Sequence, residues 1–149
     1  MKIVDIKNYE NFLEEYIILC HLEWGEKVKN IDDYILNKKM SILTGDKVIT
    51  ILGMLENDKL VGFISLFKYD GEERRDLTPW YATMYVKKEF RGLGYSKILN
   101  DALLKKAKDI GYKKVYLKSN LINYYEKYGA RYIEKLDNGE ILYYIDLSI

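Results

Sequence analysis

The segment from residue 78 to residue 111 constrains the fold of this chain most, because it joins a predicted strand to a predicted helix through a loop with two glycines. Residues 80–86 are mostly aromatic or branched, as is typical of a strand. Apolar residues then recur at helical spacing as far as Gly111. Another strand is predicted near 114–118, and strand, helix and strand in this order predict a right-handed crossover between parallel strands.

The remaining chain supplies strands that are joined mainly by hairpins. In chain order we predict a strand at 2–6, a helix from near Asn8 to Gly25, and a second helix from near Asn30 to Gly45. A hairpin of 48–55 with 60–69 comes next and leads into the crossover segment. A short helix at 121–128 and a hairpin of 131–136 with 140–147 complete the prediction. The order β-α-α-β-β-β-α-β-α-β-β predicts an α+β fold, with a central mixed, mostly antiparallel sheet of about seven strands and about four helices. Since no repeat or linker is visible in 149 residues, we expect a single domain over residues 1–149.

The content of cysteine and histidine bears on cofactors and location. The chain has one cysteine and one histidine, so it cannot form an intrachain disulfide, and we expect no metal site.

No apolar run approaches the roughly 18 residues that cross a bilayer. Residues 1–7 lead into an amphipathic stretch and not into the apolar core of a signal peptide. We therefore expect a cytoplasmic protein without a membrane partner.

The loop with the two glycines is a candidate phosphate-binding site. The first N–H groups of a helix lack intrahelical partners, and glycine lets the backbone approach an anion closely. The spacing of Gly92 and Gly94 does not fit a P-loop, and a dinucleotide-binding fingerprint would need a glycine where Lys97 stands. The pattern R-x-x-G-x-[GA] fits from Arg91 onwards, with Ser96 at its last position. An ordinary tight turn between strand and helix remains the alternative.

Charge is distributed unevenly along the chain. The net charge is +1, but residues 86–118 carry ten Lys/Arg and three Asp/Glu, which gives this segment +7 and the remainder −6. A basic segment beside an acidic remainder would suit an anionic cofactor and a cationic substrate. A solvated, lysine-rich helix face explains the same charges. No nucleic-acid-binding motif accompanies them, so we expect no nucleic-acid partner.

Two motifs resemble those of the GNAT superfamily of acyl-CoA-dependent N-acyltransferases. Motif A of that family, in which a strand leads into a Phe/Tyr-Arg-Gly-x-Gly loop, is similar to residues 84–94, M-Y-V-K-K-E-F-R-G-L-G. The family's later Tyr-Glu-Lys-x-Gly-Phe motif is similar to residues 125–130, Y-E-K-Y-G-A. The sequence departs from the family pattern at Ser96, where Gly or Ala is usual, at Ala130, where an aromatic is usual, and at Lys118, where asparagine is frequent.

The resemblance implies a GNAT-like fold with acetyl-CoA as cosubstrate. It implies that the loop holds the pyrophosphate, with Arg91 mainly bracing it, and that pantetheine lies along a bulged strand, with Asn120 nearby. It makes Tyr125 the general acid that protonates the departing thiolate, because a phenol with a pKa of about 10 is protonated at neutral pH. The implied cofactor-binding residues are Met84, Tyr85, Val86, Arg91, Gly92, Leu93, Gly94, Tyr95, Ser96 and Asn120.

The implied reaction is direct attack of a neutral amine on the thioester in a ternary complex, and no general base stands out for it. Asp76 is preferred among the acids that the fold would bring near the acceptor, which are Glu23, Glu26, Asp70, Glu72, Glu73 and Asp76. One of Trp80 and Tyr81 is expected to line the acceptor cleft while the other enters the core. Trp24 is a candidate aromatic wall, although its helical spacing favours the core.

The acceptor itself is predicted only by class. The acidic remainder of the chain favours a small, cationic amine over a protein. A protein amino group, or a non-catalytic CoA-binding sensor or interaction module, is the alternative. Cys20 lies on the apolar face of its helix and is expected to be buried core and not an acyl carrier. We expect a monomer or a homodimer.

Overall fold

A computed structural model describes residues 1–148 as three α-helices and seven strands in the predicted order. The elements are β1 (Lys2–Asp5), α1 (Glu10–Trp24), α2 (Ile31–Thr44), β2 (Val48–Glu56), β3 (Lys59–Phe67), β4 (Trp80–Val86), α3 (Tyr95–Ile110), β5 (Lys114–Ser119), β6 (Ala130–Lys135) and β7 (Ile141–Asp146). Short 3-10 turns at Lys88–Phe90 and Tyr125–Tyr128 complete the assignment. No helix within residues 1–148 is long and apolar enough to span a membrane.

The seven strands form one mixed sheet in the order β1-β2-β3-β4-β5-β7-β6. Neighbouring strands are antiparallel except β4 and β5, which run parallel on either side of the crossover through α3. The α+β prediction and the mixed sheet are therefore confirmed. Antiparallel pairs form both ends of the sheet. Within the described residues the hydrogen-bond pattern changes from antiparallel to parallel at β4 and β5.

One predicted helix and the start of another differ from the prediction. The fourth helix, predicted at 121–128, is only the 3-10 turn Tyr125–Tyr128, and Gly129 ends it with φ +93°. The N-cap of α1 is Tyr9 and not Asn8, and its side chain makes no capping hydrogen bond. Asn30 does cap α2, because its side chain accepts a hydrogen bond from the Asp33 N–H at 3.1 Å.

The sheet is covered on both faces. On one face α3 packs its buried stripe, Leu99, Leu103 and Ala107, against the central strands. On the other face α1 and α2 cover the sheet with Leu13, Ile17 and Ile42. β4 contributes Tyr81 and Val86 to the α3 face and Trp80 and Ala82 to the other face. Regular alternation would place Val86 with Ala82, so the alternation of β4 is interrupted between these two residues.

Candidate active site

The parallel strands β4 and β5 separate soon after they begin. Their pairing consists of one register pair, Trp80 with Tyr116, and the Tyr116 N–H donates to the Pro79 carbonyl at 3.0 Å. Beyond this point β5 continues to pair with β7, whereas the edge of β4 that faces β5 has no strand partner in the described chain. The divergence leaves a wedge in the middle of the sheet.

A β-bulge shapes β4 at this wedge. Phe63 and Ser65 of β3 face Tyr85 and Ala82 of β4, so β4 carries one residue more than its partner between these positions. Thr83 lies in the bulge with φ +50°, a left-handed conformation that is rare for a β-branched residue. Bulges are common beside active sites, because they re-aim backbone and side-chain groups.

The wedge opens into a cavity of about 1050 Å³ that reaches both faces of the sheet. On the α3 face it is lined by Tyr81, Met84, Val86, Leu117 and Tyr125. On the opposite face it is lined by Tyr16, Cys20, Tyr34, Phe67, Ala82 and Tyr85. One ligand can thus enter from each face and meet the other at the bulge.

Three hydroxyl groups pack beneath the bulge. The Tyr16 hydroxyl lies 2.8 Å from Ser65 Oγ and 3.2 Å from Thr83 Oγ1, and the Thr83 hydroxyl donates to Ser65 Oγ at 2.5 Å. Tyr16 and Ser65 are buried, and burial raises the pKa of Tyr16 above its ordinary value. The network therefore stays neutral and ties α1, β3 and the bulge of β4 together.

Tyr16→Phe is expected to lower the free energy of unfolding by about 1–2 kcal/mol, because it removes two hydrogen bonds in a buried site. The cost is limited because Ser65 and Thr83 still bond to each other. Urea unfolding measures the effect. Tyr9→Phe is the matched control, since Tyr9 is exposed, and equal stabilities of the two variants would contradict the role of the network.

The loop before α3 presents unpaired backbone amides. Gly92 and Gly94 have φ +79° and +81°, and a Cβ at either position would meet nothing within 4 Å. The N–H groups of residues 92–97 donate to no acceptor within the described part of the chain, and the first bond of the helix runs from Ile98 to Gly94. An open cradle of amides at a helix start fits an anion such as a pyrophosphate.

The Arg91 side chain braces this loop. Its Nε donates to the Val86 carbonyl at 2.8 Å, and its guanidinium carbon lies 5.6 Å from the centre of the Tyr85 ring. Among the other predicted loop residues, Ser96 lines the cavity, Leu93 is exposed, and the Tyr95 hydroxyl donates to Glu56 at 2.7 Å. The side chain of Tyr95 is therefore committed to β2, and only its backbone faces the loop.

Tyr125 lies in the 3-10 turn and lines the same cavity. Its ring packs edge-on against Tyr81 at 5.9 Å and against Tyr124 at 4.7 Å. Burial, followed by the neighbouring Tyr124 and Tyr128, raises the pKa of Tyr125 to about 12. The phenol is therefore a proton donor throughout the neutral pH range, and Asn120 lines the cavity beside it.

The two tryptophans lie in different environments. Trp80 is fully buried, and its Nε1 donates to the Leu77 carbonyl at 2.9 Å, so it belongs to the core. Tyr81 lines the cavity although it is 4% exposed. Trp24, the candidate aromatic wall whose helical spacing favours the core, is 52% exposed, because it ends α1 at the cavity mouth, where its ring contacts Tyr85 edge-on.

Asp76, the preferred acid for the acceptor, does not line the cavity. Arg74 donates to both of its oxygens, at 3.1 and 3.0 Å, and also to Glu134 at 2.7 Å. The hydrogen bonds from Arg74 lower the pKa of Asp76, which is the opposite of what a general base requires. This geometry does not support the expectation for Asp76: the residue braces a loop.

Of the six acids considered from the sequence, only Glu23 and Asp70 line the cavity. Cys20 also lines it, half-buried, and burial raises the pKa of its thiol to about 12, so it is not a thiolate nucleophile at neutral pH. Residues 1–148 contain no cluster of three or more His, Cys, Asp or Glu side chains placed to hold a metal ion.

Sequence reasoning missed two groups that the cavity brings together. The hydroxyl network of Tyr16, Ser65 and Thr83 gives no local signal, because its members lie on three elements far apart in the chain. Lys38, Lys47 and Lys118 also line the cavity. Of these only Lys118 has a signal in the sequence, because it stands where the GNAT family often has asparagine. Its side chain lies on the face covered by α1 and α2, with Nζ 5.8 Å from the centre of the Trp80 ring.

The chain matches the sequence model of the acetyltransferase (GNAT) family over residues 11–130 and therefore belongs to this family. It is accordingly an acyltransferase of the acetyl-CoA-dependent N-acetyltransferase class, and acetyl-CoA is its cosubstrate. The amide cradle, the wedge between β4 and β5, and the half-buried phenol of Tyr125 fit that cosubstrate.

Solved structures share the fold at low sequence identity. An aminoglycoside 6'-N-acetyltransferase complexed with coenzyme A has a TM-score of 0.76 and 17% identity, with 100% of this chain and 98% of that chain covered. An aminoglycoside 6'-acetyltransferase of type Ii gives 0.73 and 19%, with 100% and 99% covered. The aminoglycoside 6'-N-acetyltransferase from Enterococcus faecium gives 0.72 and 16%, with 100% and 98% covered. No curated protein sequence gives a significant match.

Proposed function

We propose that this chain transfers the acetyl group of acetyl-CoA to a primary amine of a small molecule, by direct attack in a ternary complex. The observation that carries the proposal is the cavity at the bulge, which connects the amide cradle and Tyr125 on one face with a separate cleft on the other. Two ligands can occupy such a cavity together, as direct transfer requires.

Separate groups of residues bind acetyl-CoA, stabilise the transition state and transfer the proton. The amides of residues 92–97 bind the pyrophosphate, and Arg91 holds the loop in place. The free edge of β4, Met84 to Val86, takes the pantetheine, with Asn120 nearby, and a backbone N–H at the bulge stabilises the charge that develops on the thioester oxygen. Tyr125 gives its proton to the departing thiolate.

The charge of the acceptor is a separate question. The sequence predicts a cationic small molecule, and Glu23 and Asp70 in the cavity lining would attract an ammonium group. Several of the structurally similar proteins are named as aminoglycoside acetyltransferases, which agrees with that prediction. Lys38, Lys47 and Lys118 in the same lining oppose a polycation.

The test measures donor binding and transfer separately. Acetyl-CoA at 100-fold above its Kd is expected to stabilise the protein by about 2.7 kcal/mol, visible as a raised Tm. Release of free CoA thiol is then followed with a panel of primary amines, and at least one is expected to be acetylated. If CoA and acetyl-CoA leave the Tm unchanged, the donor site is wrong. If they raise it but no amine or protein amino group is acetylated, the chain is a CoA-binding module.

A further inference from the structure

Three lysines from separate elements converge on the acceptor half of the cavity. Lys38 extends from α2, Lys47 lies just before β2, and Lys118 extends from β5. The Lys118 ammonium donates to the Asp70 carbonyl at 2.6 Å. The Lys47 ammonium lies 5.0 Å from the centre of the Phe67 ring, and that of Lys38 lies 5.9 Å from the Tyr34 ring. We call these three residues the lysine cluster.

The protein offsets the positive charge of the lysine cluster in part, through Asp70 near Lys47. Within residues 1–148 no carboxylate forms a salt bridge with any of the three ammonium groups. Desolvation in the cavity lowers the pKa of Lys47, Asp70 partly offsets this, and Lys38 and Lys118 lower it further. Mutual repulsion in a partly desolvated site is unfavourable unless a ligand supplies negative charge.

A carboxylate lies at the opposite end of the same cleft. Glu23 lines the cavity next to Trp24, whose ring contacts Tyr85 just beyond the bulge. Lys118 instead lies over Trp80, at the start of β4, and Lys47 lies over Phe67, which pairs with Trp80. Asp70, whose carbonyl accepts from Lys118, and Glu140 add two carboxylates to the lining, so the three lysines leave an excess of one positive charge over them. Glu23 makes the end near the bulge, where the amine must react, negative.

From this polarity we propose that the acceptor is an amine with an anionic oxyacid group, a carboxylate or a phosphate, which the lysine cluster binds. The proposal rests on the proposed function, because it names the substrate class of that same site. The start of β4 and the bulge are three residues apart, roughly 10 Å at strand spacing. The amine and the anionic group therefore occupy opposite ends of an elongated molecule and are not adjacent, as they are in the α-amino and α-carboxyl groups of an amino acid.

A series of probes of equal chain length tests the charge of the distal group. The probes are ω-aminohexanol, ω-aminohexanoate, ω-aminohexyl phosphate and diaminohexane, each assayed for kcat/KM with saturating acetyl-CoA. We expect the carboxylate or the phosphate probe to exceed the neutral alcohol by about tenfold or more, because the alcohol cannot form a charged hydrogen bond with the lysine cluster. The better of these two shows which anion is bound. We expect diaminohexane to be the poorest.

Lys47→Glu tests whether the lysine cluster causes this order. We expect it to remove the preference for the anionic probe and to raise kcat/KM for diaminohexane, mainly through KM. A lysine with only a structural role would lower both values together. Lys106→Glu is the matched control, since Lys106 is exposed on α3 and should leave the order unchanged.

Binding without an amine separates this inference from the proposed function. Hexyl phosphate is expected to raise the Tm of the wild type and of Lys106→Glu but not of Lys47→Glu. That result without transfer to any amine, in this series or in the wider panel, would refute the proposed function and retain the anion site. Transfer that is fastest to diaminohexane, or a Tm shift by hexyl phosphate that survives Lys47→Glu, would overturn the anion site and retain the enzyme.

Discussion

Tyr125→Phe is expected to lower kcat by about 10²–10⁴-fold, the usual contribution of a positioned proton donor, with the Kd for acetyl-CoA largely unchanged. The phenol lines the cavity, and burial raises its pKa to about 12, so it holds its proton at neutral pH. Phenylalanine preserves the edge-on contact with Tyr81 and removes only the hydroxyl. Single-turnover kinetics measure the chemical step, and equilibrium titration with acetyl-CoA measures binding.

Tyr128→Phe is the control for this prediction. Tyr128 lies on the same 3-10 turn and loses the same hydroxyl, but it does not line the cavity. Its variant should keep the wild-type rate. An unchanged single-turnover rate in Tyr125→Phe would remove this residue from the mechanism.

Gly94→Ala is expected to weaken acetyl-CoA binding by about tenfold or more, as expected when one or two hydrogen bonds to a charged group are lost. Gly94 caps α3 with φ +81° in an open cradle. A methyl group there stands where the pyrophosphate must approach the amides. Isothermal titration with acetyl-CoA gives the Kd.

Gly111→Ala separates this effect from backbone strain. Gly111 ends the same helix with φ +118°, and a Cβ there also meets nothing within 4 Å. Both variants should lose about 1 kcal/mol of stability, because both place alanine in a left-handed conformation. Only Gly94→Ala should lose affinity for acetyl-CoA, and equal Kd values in the two variants would contradict the pyrophosphate site.

The element order was predictable because it depends on local periodicity. The alternation of apolar and polar residues in strands, the apolar stripe of α3 and the glycines at helix ends are each visible within a short continuous segment. The loop with its unpaired amides was predictable for the same reason, since it is one continuous segment, and its binding of the pyrophosphate stays a prediction. The short helix predicted at 121–128 failed because its few apolar residues also suit a tight turn, which is all that forms at Tyr125–Tyr128.

The acceptor half could not be predicted, because it is assembled from distant segments. Lys38, Lys47 and Lys118 are ordinary surface lysines in sequence, and only the folded sheet places them in one cleft. Asp76 was chosen for its position before β4, but its carboxylate is bound by Arg74. Trp24 ends α1 beyond the point where the sheet covers it, so a helical stripe alone misjudged its burial.

The wedge between β4 and β5 also has a consequence for cooperativity. One register pair, Trp80 with Tyr116, connects a four-stranded part of the sheet with a three-stranded part. A ligand backbone that lies along β4 supplies hydrogen bonds that the chain itself lacks there. We therefore expect the two parts to open semi-independently without ligand and as one unit with acetyl-CoA, so that amide exchange slows in both parts on binding. The cosubstrate would then serve as an eighth, removable element of the sheet.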